Sequence, residues 1–486
     1  MRLIRHNHDL SFMHNLSGNM GYLIPIACLD VLPGDSFIHS TNLMARLAPL
    51  AKPVMHPVEI RVHNWYVPNR IIWEDWEDFI TEANTGLTYP TQTITSAAAG
   101  VLYDHMGCEP TVGSVQSLMP IRAYNAIWNE FYRDQDLAQP RNTNALGLAK
   151  IAWGKDYFTT ARTTRQSGPS IEVGFSSGSV PISGIGPNAV NLPAASQKSL
   201  FETQRSANRN VTGWETNTAH GIFEQDPDNP GFPNIRADLT RANGGIDITA
   251  LRNGVALQRM SEARSMFGSR YADYLRYYGV NPRDGRLDRP EYLGGGKQQI
   301  SFSEVLSNSV VSGNDDPGQL FGHGIAGLRS RRYKKTFEEH GWMISLLSVR
   351  PVGIYQTGHP RKFQRRKAQD FWHRELELLP WQSIPVTEIY GGGDKSITFG
   401  FTPRYDEYRE TQNYVSGTFR GGTEEDWTLA RTFSTPPSLN ESFITCDPSD
   451  RIYQDTTMPE LLITANHTIK AKRLVAKNAR LNNAFL

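Results

Sequence analysis

The chain has 486 residues, of which 39% are hydrophobic and 20% charged, with 41 Gly and 29 Pro. This composition is globular and excludes disordered, collagen-like and coiled-coil chains. Fifty Lys and Arg against 49 Asp and Glu leave a net charge of +1, so binding of a polyanion must depend on local clusters of cations. The length suits two or three ordinary domains, or one β-barrel domain with large insertions.

Targeting and cysteine signals are weak. The stretch Met1–Asn19 lacks the apolar segment of a secretory signal, and the apolar run Gly341–Val349 is far shorter than the ~20 residues that span a bilayer. Cys28, Cys108 and Cys446 are isolated, which predicts neither a disulfide framework nor a metal knuckle. We therefore expect a protein without membrane insertion that folds in a reducing compartment.

Strand patterns lie towards both ends of the chain. They are either apolar on both faces, as in a central strand of a sandwich, or alternate apolar and polar residues with a period of two. The segments with these patterns are Tyr22–Val31, 58–63, Trp342–Val349, 397–401 and 469–472. They predict a mainly β fold, a β-sandwich whose barrel strands come mainly from 20–70 and 340–480.

The middle of the chain carries helical patterns. Ile72–Ala83 has acidic residues in its opening turns, where the helix dipole favours carboxylates, and predicts a short helix. Pro120, followed by apolar side chains three and four residues apart as far as Phe131, predicts an amphipathic helix. The apolar pattern of 251–275 indicates one or two more helices. We therefore expect 71–163 and 246–330 to be helical and loop insertions in a single domain, 1–486.

The segment 164–245 between them is rich in Ser, Gly, Asn and Pro and has little periodicity. Loops of this length are usually functional, disordered or ordered by a partner. We expect a long polar surface loop here.

Motifs of enzyme chemistry lack their required context. Residues 322–327 match GxGxxG, but a turn precedes them and no βαβ unit surrounds them, which favours a flexible loop. Lys297 follows three glycines but precedes Gln298, so the hydroxyl of a P-loop is missing. His6 and His8 lie in an N-terminus that we expect to be mobile, and no histidine has metal-ligand spacing. We expect no catalytic, cofactor-binding or metal-binding residue, and the acidic run 74–78 is interpreted as a solvated helix face.

Positive charge is concentrated in two clusters. Between Leu320 and Asp370, eleven Lys and Arg stand against three acids, and the densest part, His359–Lys367, adjoins aromatic residues. From Leu461 to the end there are five cations and no acid. Cations interleaved with aromatics suit single-stranded nucleic acid. The residues predicted to bind it are Arg361, Lys362, Arg365, Arg366, Lys367, Lys470, Lys472, Arg473, Lys477 and Arg480.

Other interpretations of these clusters remain open. Each could be a solvated face, or could pair with an acidic segment of a neighbouring subunit such as Glu424-Glu425-Asp426.

Several motifs are similar to those of one protein family. The run Tyr124–Glu130, which continues into Arg133-Asp134-Gln135, and the run Arg286–Gly295 resemble segments of the major capsid proteins of the Microviridae, small icosahedral single-stranded DNA phages. Further matches in the family's order are Asn19-Met20-Gly21, Ile24-Pro25, Val31–Asp35, Val67–Arg70, Gly322-His323-Gly324, Phe399-Gly400-Phe401 and Arg404–Arg409.

This resemblance implies an eight-stranded antiparallel viral jelly roll, sixty copies of which close a T=1 icosahedral shell around circular single-stranded DNA. It implies basic residues on the inner surface of the shell and helical insertions at subunit contacts. The segment 164–245 lies where relatives vary most and some carry a surface protrusion, so the resemblance makes it a candidate protrusion. The implied partners are copies of the chain, the genome, a DNA pilot protein, a small basic DNA-binding protein, a scaffolding protein during assembly and a host cell-surface receptor. The implied location is the virion, after assembly in the host cytoplasm.

Two other functions fit a β-sandwich. A glycan-binding phage receptor protein would expose aromatics such as Trp153, Tyr157 and Trp214 and would remain a small oligomer. A polysaccharide-degrading enzyme would need two carboxylates across a cleft, which the sequence does not identify. The capsid hypothesis is favoured because the resemblance spans most of the chain and because low net charge lets copies associate.

Overall fold

A computed structural model describes residues 5–98, 101–164, 252–260, 288–306, 320–379 and 381–476. The chain forms two compact units, Met1–Ser167 together with Arg264–Leu486, and Gly168–Ala263. Within the second unit, residues 252–260 are helical, as their apolar pattern predicts. The predicted long loop 164–245 lies outside the described residues except for Thr164.

The first sheet is antiparallel and contains seven strands. They are β1 (His6–Asp9), β2 (Phe12–Gly18), β4 (Ser36–Leu47), β10 (Ser301–Leu306), β11 (Leu320–Arg329), β12 (Tyr333–Thr336) and β16 (Leu461–Arg473). Their order is β1-β16-β4-β11-β10, while β2 also pairs with β16 and β12 also pairs with β4. The first and last strands of the described residues, β1 and β16, are therefore neighbours, and β1 stands at one end of the strand order.

The second sheet contains five strands. They are β3 (Tyr22–Val31), β5 (Val58–Pro68), β8 (Ala149–Lys150), β9 (Glu291–Gln299) and β13 (Gly341–Pro351). Their order is β8-β3-β13-β5-β9. Two small sheets pair β6 (Thr91–Thr93) with β7 (Val115–Ser117), and β14 (Trp381–Pro385) with β15 (Thr398–Pro403).

The two large sheets share one apolar core. Leu43 of β4 and Ile463 of β16 belong to the same buried cluster as Ile60 of β5 and Leu347 of β13. Burial alternates along β4 and β16, so their other side chains face solvent. The first sheet consequently has one face on the core and one open face.

Three helices cover the other face of the second sheet. They are α1 (Asn69–Ile72), α3 (Val101–His105) and α4 (Met119–Ile127), which continues into a π-helical turn (Trp128–Tyr132). The α2 helix (Trp76–Ile80) packs beside α1, and a further short helix is Glu441–Ile444. Ile121 and Tyr124 of α4 pack with Ile344 of β13 in a second buried cluster. The Tyr124 hydroxyl donates to the Leu23 carbonyl at 2.7 Å and accepts the Ala149 N–H at 3.0 Å, which fixes α4 on the sheet.

The structure confirms the mainly β prediction, the helix that begins near Pro120 and four of the five predicted strand segments. The fifth, 397–401, overlaps β15, which belongs to a separate two-stranded sheet and not to either large sheet. The short helix predicted over Ile72–Ala83 is present only in part, because α2 covers Trp76–Ile80. A separate helix, α1, ends at Ile72, since Trp73 has extended backbone angles of φ −152° and ψ 111°.

The expected mobile N-terminus is also corrected. His6 and His8 lie in β1, opposite Arg473 and Ala471 of β16. This short strand pairs with a long strand whose alternation was evident in the sequence, but its own sequence contains too few apolar residues to reveal it.

The glycine-rich segment 322–327, predicted as a loop, belongs to β11. A Cβ at Gly322 would stand 2.8 Å from the Lys52 carbonyl oxygen, so glycine here permits a close backbone approach. Together with β9 and β10, this strand shows that the prediction of helices and loops across 246–330 is wrong for the strands within 291–329.

Candidate nucleic-acid interface

The first predicted cluster lies on the connection between β13 and β14. Pro360 precedes a 3-10 turn at Arg361–Phe363, and a second 3-10 turn spans Ala368–Asp370. The Asp370 carboxylate accepts the backbone N–H groups of Arg366 at 2.8 Å and Lys367 at 2.9 Å, which lowers the pKa of Asp370. Local hydrogen bonds therefore fix the backbone from which the cations project.

Two of the predicted cations point inward and have carboxylate partners. Arg361 Nε contacts Glu388 Oε1 at 2.7 Å, and only 1% of the Glu388 side chain is exposed. Arg365 Nη2 lies 3.6 Å from Glu407 Oε1, and its guanidinium is 4.3 Å from the ring centre of Tyr408. Removing one member of a buried pair leaves an uncompensated charge, so these arginines position the segment.

The remaining cations of this cluster are exposed. Lys362, Arg366 and Lys367 form no ion pair with a described carboxylate. Beside them, 77% of Phe363, 51% of Phe371 and 53% of Trp372 are exposed. We call these six residues, Lys362, Phe363, Arg366, Lys367, Phe371 and Trp372, the basic-aromatic surface. Exposed aromatic faces among cations can stack unpaired bases while the cations contact phosphates.

The second predicted cluster divides in the same way. Arg473 Nε lies 2.9 Å from Oδ2 of the fully buried Asp35, and its guanidinium lies 5.3 Å from the Phe37 ring centre. Burial raises the pKa of Asp35. Lys470 and Lys472 are exposed on the open face of the first sheet. Lys477 and Arg480 lie outside the described residues.

Strand register places further cations on that open face. Lys470 and Lys334 both lie opposite Ile38 of β4, one on each neighbouring strand. Arg329 lies opposite Asn42, and Arg46 lies opposite Leu462. We call Arg46, Arg329, Lys334, Lys470 and Lys472 the open-face cations; within the described residues none forms an ion pair with a carboxylate.

One acid faces these cations from β1, where Asp9 lies opposite Lys470. Hydrogen bonds from Ser11 lower the pKa of Asp9, and Lys470 lowers it further. The open face is therefore strongly basic in a chain whose net charge is only +1.

Sequence reasoning counted Arg329 and Lys334 as basic residues but did not select them, and it missed Arg46. The period-two pattern of 36–47 could have put Arg46 on a solvent face. Only strand register, however, brings it beside β11 and β16.

A family model described as "Capsid protein (F protein)" matches residues 1–478. The chain belongs to this capsid protein family. Capsid protein VP1 of Chlamydia phage 1 is 29% identical over 94% of this chain and 92% of that protein. VP1 of Bdellovibrio phage phiMH2K is 31% identical over 87% and 84%, and VP1 of Spiroplasma virus 4 is 26% identical over 88% and 85%.

These relatives confirm the resemblance to the Microviridae. The protein is a phage capsid protein, a structural component of the virion that assembles with copies of itself, and it is not an enzyme. Among the described helices, none is long and apolar enough to cross a membrane.

The structure places two of the three aromatics named for the glycan-receptor hypothesis in the interior of this capsid protein. Trp153 and Tyr157, which that function would expose, are only 4% and 2% exposed. The third aromatic, Trp214, lies outside the described residues. Buried rings cannot stack on a sugar, so these two aromatics are not available for that function.

Proposed function

We propose that this capsid protein is a jelly-roll subunit, sixty copies of which close a T=1 shell around a circular single-stranded DNA genome. The observation that carries the proposal is the order of the strands. In chain order, β2, β3, β4, β5, β9, β11, β13 and β16 are eight strands shared between the two large sheets. Their order is first-eighth-third-sixth in the first sheet and second-seventh-fourth-fifth in the second.

This order supports a double Greek key, in which strands far apart in sequence become neighbours. The β1, β8, β10 and β12 strands would then extend the eight-stranded framework at its margins. The capsid family match over residues 1–478 supports the proposal that subunits with this fold assemble into a shell. A subunit with almost no net charge can also pack against its copies without strong repulsion.

The proposed subunit is a single domain, 1–486, whose helical insertion 71–163 builds contacts between copies. The segment 164–245 is its proposed surface protrusion. Proposed further partners are a DNA pilot protein, a small basic DNA-binding protein, a scaffolding protein during assembly in the host cytoplasm, and a host cell-surface receptor.

The proposed DNA contacts are the exposed cations of both clusters. Lys362, Arg366, Lys367, Lys470 and Lys472 would contact phosphates, and the aromatics of the basic-aromatic surface would stack bases. Arg361, Arg365 and Arg473 would act by holding the backbone of the same surfaces in place. Lys477 and Arg480 are the remaining residues proposed to contact DNA.

Particle size tests this function. The purified protein is examined by sedimentation velocity and negative-stain microscopy, with and without circular single-stranded DNA and after co-expression with the other virion proteins. We expect closed shells of one diameter that contain nuclease-protected DNA. A small oligomer under every condition, including co-expression, would contradict the shell. Uniform shells that never protect DNA would contradict the genome contact alone.

A further inference from the structure

A pocket of about 570 Å³ opens beside the basic-aromatic surface. Residues of the segment 361–370 form one side, and β14, β15 and the turn after β15 form the other. Four cations and three acids line it; they are Arg361, Arg365, Lys395, Arg404, Asp370, Glu388 and Glu407. What this pocket can bind depends on which of these charges already have partners.

Each of the three acids already accepts hydrogen bonds from other groups of the protein. Glu388 accepts from Arg361 Nε at 2.7 Å and from the Tyr157 hydroxyl at 3.1 Å. Glu407 accepts from Gln382 Nε2 at 2.6 Å and lies beside Arg365. The third, Asp370, accepts the two backbone N–H groups of its own turn.

Two of the lining cations have no close carboxylate partner, although the charge of Lys395 contributes to the lowered pKa of Asp370. Lys395 Nζ donates to the Gln364 carbonyl at 3.1 Å, and neither Lys395 nor Arg404 forms an ion pair with a described carboxylate. Arg404 Nε is buried and has no hydrogen-bond partner among the described residues. Because buried polar groups are nearly always hydrogen-bonded, this unsatisfied donor needs an explanation.

The backbone holds Arg404 in a defined place. The next residue, Tyr405, has φ +63°, a left-handed conformation that is uncommon outside glycine. The buried Tyr405 hydroxyl donates to the Phe371 carbonyl at 3.2 Å and accepts the His373 N–H at 3.0 Å. Such conformations persist where the surroundings fix them, and they are concentrated at ligand sites.

We propose that this pocket binds a phosphate group between Arg404 and Lys395. A guanidinium donates two parallel hydrogen bonds to phosphate oxygens, and an ammonium adds a compact positive charge. Trp381 and Phe401 in the lining supply apolar surface for the group that carries the phosphate. A free nucleotide and the backbone of single-stranded DNA offer the same chemistry. Binding of the DNA backbone rests on the proposed function, whereas binding of a free nucleotide does not.

Calorimetric titration of the full-length protein tests the site, with inorganic phosphate, thymidine 5′-monophosphate, thymidine and an eight-residue oligothymidylate as ligands. We expect the first two to bind and to compete with each other, and thymidine not to bind. R404Q should weaken phosphate binding about tenfold or more, because a charge-assisted pair is lost. If the oligonucleotide shows the same dependence on Arg404, its backbone occupies the pocket.

R409Q is the matched control. Arg409 is exposed, pairs with Asp406 at 3.6 Å and does not line the pocket, so its loss should leave phosphate affinity unchanged. R404K keeps the charge but loses the guanidinium fork and should bind with intermediate affinity. K395Q removes the second cation. These two variants keep the test decisive if R404Q unfolds.

Equal phosphate affinity in the wild type, R404Q and K395Q would overturn the proposal, as would no binding of phosphate or nucleotide to the wild type. DNA-filled shells without Arg404-dependent binding would leave the proposed function standing without this site. Arg404-dependent phosphate binding by a protein that encloses no DNA would support the phosphate site and contradict the proposed function.

Discussion

Two buried histidines join strands from opposite ends of the chain. His39 of β4 and His467 of β16 are both fully buried, and His39 Nε2 lies 3.1 Å from His467 Nδ1. When both rings are neutral, every one of the hydrogen bonds along this line of side chains has one donor and one acceptor. Tyr333 donates to His39 Nδ1, His39 donates to His467, and His467 Nε2 donates to the Ile26 carbonyl of the second sheet at 3.0 Å.

Burial opposes an added proton on either ring, because the charged form loses its contact with water. Burial, together with each ring's neighbouring histidine, lowers the pKa of His39 to about 3 and of His467 to about 4. His14 is the nearby histidine for His467, and its Nδ1 lies 2.9 Å from the same Ile26 carbonyl oxygen. Both rings are therefore neutral in the folded protein at neutral pH.

We predict that acid destabilises the protein through these rings. Between pH 6.5 and about 4 the unfolded chain binds protons that the folded rings do not. Stability is therefore present above pH 6.5 and falls by about 1.4 kcal/mol per pH unit for each histidine as the pH decreases. Urea unfolding at pH 7, 6 and 5 measures this slope.

H39Q should reduce the slope by about 1.4 kcal/mol per pH unit, since one titrating ring is removed. H373Q, at an exposed position, is the control and should keep the wild-type slope. An unchanged slope in H39Q would show that other groups cause the acid sensitivity.

At the scale of elements, α4 depends on one buried hydroxyl. Tyr124 is fully buried, and its hydroxyl makes the two hydrogen bonds to Leu23 and Ala149 of the second sheet. Y124F should lower the free energy of unfolding by about 1–3 kcal/mol, because a buried carbonyl and a buried N–H each lose a partner. Thermal unfolding measures this loss. A variant as stable as the wild type would mean that water replaces the hydroxyl.

Close strand packing explains a second element-scale prediction. A Cβ at Gly295 of β9 would stand in conflict with the Val62 carbonyl oxygen of β5, whereas a Cβ at Gly327 of β11 would meet nothing within 4 Å. G295A should therefore destabilise the protein by about 1–3 kcal/mol through overpacking, and G327A should be tolerated. Unfolding temperatures of the two variants compare the sites directly. Equal temperatures would indicate that β9 can shift.

The elements that the sequence predicts are those with a periodic side-chain pattern. Apolar alternation predicts β16 and the exposure of Lys470, and helical spacing predicts α4. The β9 and β11 strands escape prediction because glycine runs carry no side chains to show a period of two. The inward direction of Arg361 also could not be predicted, because its partner Glu388 is 27 residues away in the sequence.

At the scale of the whole molecule, the open face gathers charge from four strands. Arg46, Arg329 and Lys334 lie far from Lys470 in sequence, and register alone brings them together. The sequence could therefore predict cationic segments but not a cationic surface. A basic face is compatible with an almost neutral net charge because the acids lie elsewhere. Glu388, Glu407 and Asp35, for example, form ion pairs with arginines that are not open-face cations.

This face should bind single-stranded DNA with an affinity that depends on salt. For single strands, the logarithm of the affinity falls with the logarithm of the salt concentration by about 0.7 per neutralised phosphate. The double variant K470Q/K472Q should therefore reduce the salt slope for oligothymidylate by about 1.4 and retain less DNA in particles. Titrations at several salt concentrations, followed by fluorescence anisotropy, measure the slope.

K155Q is the matched control for this face. Lys155 is an exposed lysine that pairs with Asp134 at 2.8 Å and is not one of the open-face cations, so its loss should leave the slope unchanged. If K470Q/K472Q also keeps the wild-type slope, the open face does not contact the genome. Loss of slope in K362Q/K367Q alone would then assign that contact to the basic-aromatic surface. The two surfaces are thus separable, because they lie on different segments of the chain and each has exposed lysines that can be removed without breaking a described ion pair.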